Sequence, residues 1–422
     1  MSWEKYLDLD KTIKLKNNSI DFNKALAHDL LFISFNAYTS KNVSYFTILT
    51  SFIKSKNLEQ LRKALEEKKI IITTWAERPD YLELINAVNE QLESFKLLKI
   101  SDLKPKLKIN FRNLYIAFIS SKDLFKTNID FKLKLYLVSQ LCYNLNIEAE
   151  LKRILSRRNK NFQATKYIAF NSSFGLESLI CQVFNQYSNI QTFSLSHGIS
   201  YVNYSIYKPL DYINGFNITA NKVIVWGESS KQDLINNYNI SPNSILIGGN
   251  PKYKLKPINL KQTFNHCIVL LPRSIYDASN ILLLEQLKKC VKTYPFMVTV
   301  KLHPNLDRNK YIPIVNENGF NLSNESNTLI EELKCNKYDF AIAYNTTAYY
   351  ESFYHSIPCF RFGINENEQF IGLDDLFTTS DELLRRIEFL KKNGMEILNE
   401  QVCKLLEKTI GFGVNNYSKL LS

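Results

Sequence analysis

The sequence predicts an α/β protein made of two successive Rossmann-like βα domains facing across a cleft, and three observations carry that prediction. Short apolar runs recur between helical stretches, and most are hydrophobic throughout rather than alternating, as strands covered on both faces of a parallel sheet must be. Several end on a polar or proline-bearing turn: Ser196-His197-Gly198, Gly249-Asn250-Pro251, Pro272-Arg273, His303-Pro304 and Asn345-Thr346-Thr347. A basic, proline-containing stretch at 252–263 interrupts the pattern, and strand text restarts at Cys267. A chain of 422 residues is too long for one small core. The expected division is therefore residues 1–258 and 259–422.

In chain order, residues 30–35 read as a buried strand and 44–67 as helix, with Leu49, Phe52, Ile53, Leu58 and Leu61 supplying its apolar face. Residues 69–75 give a second strand and 80–96 a second helix. The run 114–120 reads either as a strand or as a buried helical segment. A long helix with a basic face covers 131–158. Strands follow at 167–170, 190–196 and 223–226, and 245–251 closes this half. Asn171 to Gly175 form a cap-rich turn into a helix reaching Val183, and Ser229 or Ser230 caps the helix after the third of these strands. Beyond the linker come a strand at 267–271, a helix at 279–293 and a strand at 298–302, stopped where Pro304 denies the ladder a donor. A helix, then the strand 338–344, lead to a helix capped by Asn345, Thr346 and Thr347. The strand 359–362 and helices at 380–393 and 396–410 finish the chain, the last helix being free to pack back on the first domain.

Composition narrows the functional classes. Apolar residues are 45% of the chain while Gly and Pro number only 12 and 11, which fits a packed globule rather than disorder. No run approaches the 18 or so apolar residues of a membrane span, and the N-terminal residues form neither a basic nor an apolar signal region. Seven cysteines stand apart with no C-x-x-C pair, as reduced core residues in a cytoplasmic protein would. Net charge is +12, and residues 101–166 hold 14 Lys and Arg against 5 Asp and Glu, so +9 of it lies there. Basic residues alternate with apolar ones in this segment. Besides an ordinary solvated face, that pattern suits docking on an anionic membrane surface or glycan, peripheral to the inner face of the cell membrane. Nucleic acid is not an expected partner, because no binding motif accompanies the charge.

Ligands of open parallel sheets sit at the carboxyl ends of strands, where helix N-termini offer unpaired N–H groups to phosphate. His303, Thr346 and Thr347 stand at two such ends and outline a nucleotide monophosphate or diphosphate site. Glu351, one turn into the following helix, could accept ribose hydroxyls, and Arg273 could neutralise phosphate charge. His197 ends a strand of the other half, where a neutral imidazole could take a proton near pH 7. All of these residues also make sense as caps and turns. Glu177, Glu228, His28, His266 and His355 read as structural. No D-x-D stands at a strand end, and Asp374-Asp375 lies in a polar loop without a His or hydroxyl partner.

At these strand ends the sequence resembles bacterial GT-B glycosyltransferases of surface-polymer synthesis, in particular the group that includes CDP-glycerol glycerophosphotransferases and capsule transferases. Bacterial sialyltransferases of the same fold share the H-P and paired-hydroxyl motifs. The residues that carry the likeness are His197-Gly198, Gly249-Asn250-Pro251-Lys252, His303-Pro304 and Thr346-Thr347-x-x-x-Glu351. They fall within 165–365, and residues 1–160 show no such likeness. The resemblance implies an inverting transferase that needs no metal or other cofactor. It would move a sugar from a nucleotide-activated donor, of CMP or CDP type before UDP, to a glycan or lipid-linked glycan acceptor of capsule, lipooligosaccharide or teichoic-acid-like polymer. His197 would be the base. His303, Pro304, Thr346, Thr347, Glu351, Arg273, Asn250 and Lys252 would hold the donor. The sequence departs from the polyol-phosphate enzymes in having Ser196 where they have Trp, and Ile199-Ser200 where they have Thr-Pro. It also lacks the acidic base motif of the sialyltransferases. Polyol-phosphate transfer, UDP-sugar 2-epimerisation and non-catalytic glycan or partner binding are the other readings of the same pattern.

Overall fold

The structure is a computed structural model that describes residues 3–12, 16–17, 20–157, 162–199, 208–363 and 370–421. Two six-stranded parallel sheets organise it. The first holds β1 (Ile70–Thr74), β2 (Phe95–Lys99), β3 (Lys166–Ala169), β4 (Gln191–Leu195), β5 (Lys222–Val225) and β6 (Ile245–Ile247), in the spatial order β6-β5-β4-β3-β1-β2. The second holds β7 (His266–Leu270), β8 (Met297–Lys301), β9 (Asn321–Leu322), β10 (Phe340–Ala343), β11 (Cys359–Phe362) and β12 (Leu376–Phe377), in the order β9-β8-β7-β10-β11-β12. Every pairing within both sheets is parallel. Parallel neighbours need crossovers that put helices on the sheet faces. Accordingly β1, β7, β10 and β11 are buried at every residue, which is why their sequence does not alternate. These are two Rossmann-like α/β domains. In each sheet the strand order reverses once, between β1 and β3 in the first and between β7 and β10 in the second.

Several local expectations fail, each for a physical reason. Residues 30–35 lie in a helix, Ala27–Ser34, because a short apolar run buried nearly all round suits either structure, and here Ala27, Leu30, Leu31, Ile33 and Ser34 are all covered. The stretch 44–67 is two helices, α1 (Tyr45–Phe52) and Glu59–Glu67, parted by the short strand Lys54–Lys56, which pairs antiparallel with Pro105–Leu107. The helix α2 (Pro79–Asn89) stops short of 96, because Phe95–Lys99 is the edge strand β2, whose lysines face water. Residues 114–120, open between strand and helix in the sequence, are helical, within α3 (Phe111–Ser120). Neither Ser229 nor Ser230 caps a helix. Gly227 is the N-cap of Glu228–Tyr238 and no side chain makes the capping bond.

The long helix α4 (Phe131–Arg157) forms as predicted, but its basic character is partly internal. Lys134 is buried and its Nζ donates to the carbonyls of Phe125 (3.1 Å) and Thr127 (2.7 Å). Lys152 pairs with Glu148 at 2.6 Å. Arg158 and Lys160, counted in the basic segment, and Ser200, after His197-Gly198, lie outside the described residues.

The chain end returns to the first sheet. After the helix Glu396–Thr409, the carbonyl of Ile410 accepts the Asn250 N–H (2.8 Å), and Asn250 O accepts the Gly413 N–H (2.9 Å). Tyr417 Oη donates to Gly249 O at 2.9 Å, and its N–H donates to Gln91 Oε1 at 3.1 Å. The contact is backbone on backbone. A Cβ on Gly411, whose φ is +60°, would stand 2.3 Å from Trp226 O. One apolar core accordingly runs from Ile72, Ile168 and Trp226 through Tyr253 and Tyr417 into the second sheet. A second core gathers α4 and the N-terminal helices beneath the first sheet.

Candidate functional site

Strand ends from both sheets meet at a single cavity of about 310 Å³. The first sheet contributes Arg78 beyond β1, Asn171 beyond β3 and His197 beyond β4. The second contributes Arg273 beyond β7, His303 beyond β8, and Asn345, Thr346 and Thr347 beyond β10. Both points where strand order reverses therefore open on the same space, which is where open α/β sheets bind ligands.

Each functional side chain is held by local chemistry. Pro79 starts α2, and Arg78 ahead of it forms a two-bond pair with Asp80 (Nε–Oδ1 3.0 Å, Nη2–Oδ2 2.5 Å) while its guanidinium lies 4.3 Å from the Tyr81 ring centroid. Tyr81 in turn meets the His197 ring edge-on at 5.3 Å, and Phe170 lies 5.4 Å away on another side. Among the described residues no carboxylate hydrogen-bonds His197. Burial, with Arg78 adding to it and Asp80 opposing, pushes its imidazole down to about 4, so it is neutral at pH 7. His303 is also held below its ordinary value, by burial first and then by Arg273 and Arg78. Its Nδ1 accepts the Asn305 N–H at 3.1 Å. A neutral ring that accepts at Nδ1 carries its proton at Nε2, so His303 presents a donor.

The third strand end turns sharply. Asn345 has a φ of +42°, in the left-handed region that asparagine tolerates, and the chain then enters the short helix α5 (Ala348–Tyr354). Thr346 Oγ1 accepts the Ala348 N–H at 3.3 Å. Thr347 is the N-cap residue yet its side chain makes no capping bond. Sequence reasoning gave all three the same capping role, and the structure separates them.

Of the predicted site residues, the cavity gathers His197, Arg273, His303, Thr346 and Thr347. Pro304 is exposed on the turn beside His303 and does not line it. Asn250 is buried and engaged with the returning chain end, and its Oδ1 accepts the Lys252 N–H at 3.0 Å. Lys252 reaches Glu83 on α2 at 3.6 Å, so it ties the stretch after β6 to that helix. Glu351 stands outside the lining set and keeps part of its surface open. The protein around it nevertheless pushes its carboxyl up to about 7, burial leading, Lys252 opposing, and Asp80 and Glu83 adding to the rise.

Arg78, Asp80, Tyr81, Asn171 and Asn305 were missed. The first three had a legible signal, an Arg-Pro-Asp turn a few residues past a strand that the sequence did place. Asn305 had none, since its role is to orient its neighbours: its Oδ1 accepts the Ser274 N–H at 3.2 Å, tying the turn after β7 to the turn after β8.

No protein-family model matches the chain, and no curated protein sequence matches it. Among solved structures it is similar to a UDP-GlcNAc 2-epimerase from Neisseria meningitidis bound to UDP-GlcNAc, with 13% identity, 83% of this chain and 98% of that one covered, and a TM-score of 0.47. A UDP-GlcNAc 2-epimerase from Methanocaldococcus jannaschii gives 11% identity, the same coverages and a TM-score of 0.47. A glycosyltransferase from Rickettsia africae gives 13% identity, 84% and 96% coverage, and 0.44. At such identities the chemistry of the site rests on its own residues.

Proposed function

We propose that the chain is an inverting glycosyltransferase that moves a sugar from a nucleotide-activated donor to a bacterial surface-glycan acceptor, without a catalytic metal. The observation that supports this reading most is the cavity itself. One of its walls carries a guanidinium, a neutral imidazole N–H and two threonine hydroxyls, and the other carries a neutral histidine. Arg273, the His303 Nε2–H and the hydroxyls of Thr346 and Thr347 suit the phosphates of a nucleotide and stabilise negative charge as it departs. His197, from the facing domain, takes the proton of the attacking hydroxyl. Its low basicity rises when the donor's phosphate offsets the positive charge of Arg78. A donor of CMP or CDP type is favoured, with UDP next. Glu351 and Lys252 serve the nucleotide from just outside the cavity wall, and transfer of a polyol phosphate would use the same groups.

A second reading, 2-epimerisation of a UDP-sugar, takes support from two carboxylates on the cavity wall, Asp80 and Asp233. Asp80 is paired with Arg78, and Asp233 accepts a hydrogen bond from Asn237 at 2.6 Å. The test has two stages. Thermal shift with CMP, CDP, UDP and GDP identifies the nucleotide through the stabilisation that binding confers. Incubation with the matching nucleotide sugar then separates the reactions. Nucleotide release that requires a glycan acceptor supports transfer, whereas a 2-epimer formed without acceptor replaces it with epimerisation. Protection by none of the four removes both readings and leaves a binding module.

A further inference from the structure

We propose that the face formed by α1, α3 and the short strand pair between them docks on an anionic membrane surface. The helix α3 carries large apolar side chains on its outer side as well as its inner one. Phe111, Tyr115, Phe118 and Ile119 follow the i, i+4, i+7, i+8 spacing of a core-facing stripe, yet all four are exposed, Phe111 at 78%. The side of α3 turned inward carries Ala117, with Leu114 and Ile116 packed on the core, and Asn113, whose Nδ2 donates to Asn146 Oδ1 at 2.9 Å. The helix α1 likewise exposes large apolar side chains, Tyr45, Phe46 and Leu49, while Ile48 and Ser51 face inward.

The two helices form one surface. Phe52 and Phe118 stack with ring centroids 5.9 Å apart, and the antiparallel pair Lys54–Lys56 with Pro105–Leu107 continues the patch through Leu107, 72% exposed. A contiguous apolar area of this kind marks an interaction site rather than scattered surface hydrophobes.

The charge around the patch decides what covers it. Residues 44–56 and 104–119 contain Lys54, Lys56, Lys104, Lys106, Lys108 and Arg112, and no Asp or Glu. Among the described residues, the only carboxylate reaching these cations comes from α4, where Glu150 meets Lys108 at 3.3 Å and Lys106 at 4.0 Å. A second copy of the chain is a poor occupant. A two-fold interface would bring these cations against their own images with no carboxylate on the face between them. Nucleic acid would use the lysines but leave Leu49, Leu107 and Ile119 in water. An anionic bilayer satisfies both parts, because lipid phosphates take the lysines while the aromatic and aliphatic side chains enter the interface. No helix among the described residues is long and apolar enough to cross a membrane, so the attachment is by surface insertion. Residues 104–119 belong to the basic segment noted in the sequence. Residues 44–56, which complete the face, lie outside it.

Flotation of the full chain with vesicles of phosphatidylcholine, and of phosphatidylcholine with phosphatidylglycerol, tests this. The expected result is capture by the anionic vesicles, weakened but not abolished between about 50 mM and 0.5 M salt as screening removes the charge contribution. Lys104→Gln, Lys106→Gln and Arg112→Gln should each reduce partitioning by about fivefold. The double variant Phe46→Ser with Phe111→Ser should lose the salt-resistant part, with an unchanged melting temperature because both side chains are exposed. Capture by neither vesicle, or equally by both, overturns the proposal. So does a concentration-dependent dimer in sedimentation that the double variant abolishes, which would assign the face to a second copy.

Discussion

The Asn305 N–H donates to Nδ1 of His303 at 3.1 Å, and this one bond decides which nitrogen of the imidazole carries the proton. The first prediction follows from it. With Nε2–H as the donor toward a nucleotide phosphate, His303→Ala should weaken nucleotide binding by about 1.5–3 kcal/mol, the worth of a hydrogen bond to a charged group. His303→Gln should recover part of the loss, since its amide N–H can reach the Nε2 position. Calorimetry on the two variants checks it, and equal affinity in wild type and His303→Ala would remove His303 from the nucleotide site.

His197 yields a prediction about titration. The sequence suggested an ordinary imidazole, but burial and Arg78 push it to about 4. In the free protein its ring resonances should therefore not titrate between pH 5.5 and 8, roughly the range of an unperturbed histidine. A bound nucleotide adds negative charge near Arg78 and should move the value upward. His197→Ala should lower kcat by about 10²–10⁴-fold while nucleotide affinity stays close to wild type. A free-state titration near the ordinary value, or an active alanine variant, would place the base elsewhere.

Glu177 lies beneath the site and clamps the ends of β1 and β3. Its Oε1 accepts from Thr73 Oγ1 and from the Phe170 N–H, both at 2.8 Å. Burial pushes its carboxyl from 4.5 up to about 8. The folded state thus holds a proton that the unfolded chain releases between those values. Stability on this account is fullest below pH 4.5 and falls as pH rises through about 8. Glu177→Gln should flatten the decline in melting temperature between about pH 5 and pH 9. Parallel curves for the two proteins would show that the carboxyl is not the source.

Gly411 holds the returning chain end against β5. It combines a φ of +60° with only 2.3 Å between a would-be Cβ and Trp226 O, so Gly411→Ala should destabilise the protein by about 1–3 kcal/mol. Gly394 has a φ of +75° but open space around it, and Gly394→Ala should cost less. Denaturant midpoints of the two variants compare backbone strain alone with strain plus collision.

The sheets were legible because burial on both faces leaves a plain signal. β1, β4, β5, β7, β8, β10 and β11 all stand where their apolar runs placed them, within a residue or two. The N-terminal helix Ala27–Ser34 was not legible, since it is covered nearly all round and a short uniformly apolar run has no period to read. At the site, residues that end strands were found, and those whose meaning depends on the opposite domain were not. Asp80 beside Arg78 looks like any exposed pair until the fold brings it close enough to act on His303 and Glu351. Asn250 and Lys252 show the reverse. Their turn was conspicuous in sequence, and it seats the end of the chain while Lys252 reaches across to α2.

That returning end has a mechanical consequence. A lone linker between two bodies is a swivel, free to twist about any axis. Here the polypeptide passes between the sheets at two places, through 251–265 and again through 408–417, and the second passage is fastened by Ile410, Gly413 and Tyr417. Two fixed points leave one line about which the bodies can turn, as in a door. With that second fastening in place, a twist of one sheet against the other would have to break the bonds that Gly249 and Asn250 make to the returning chain end.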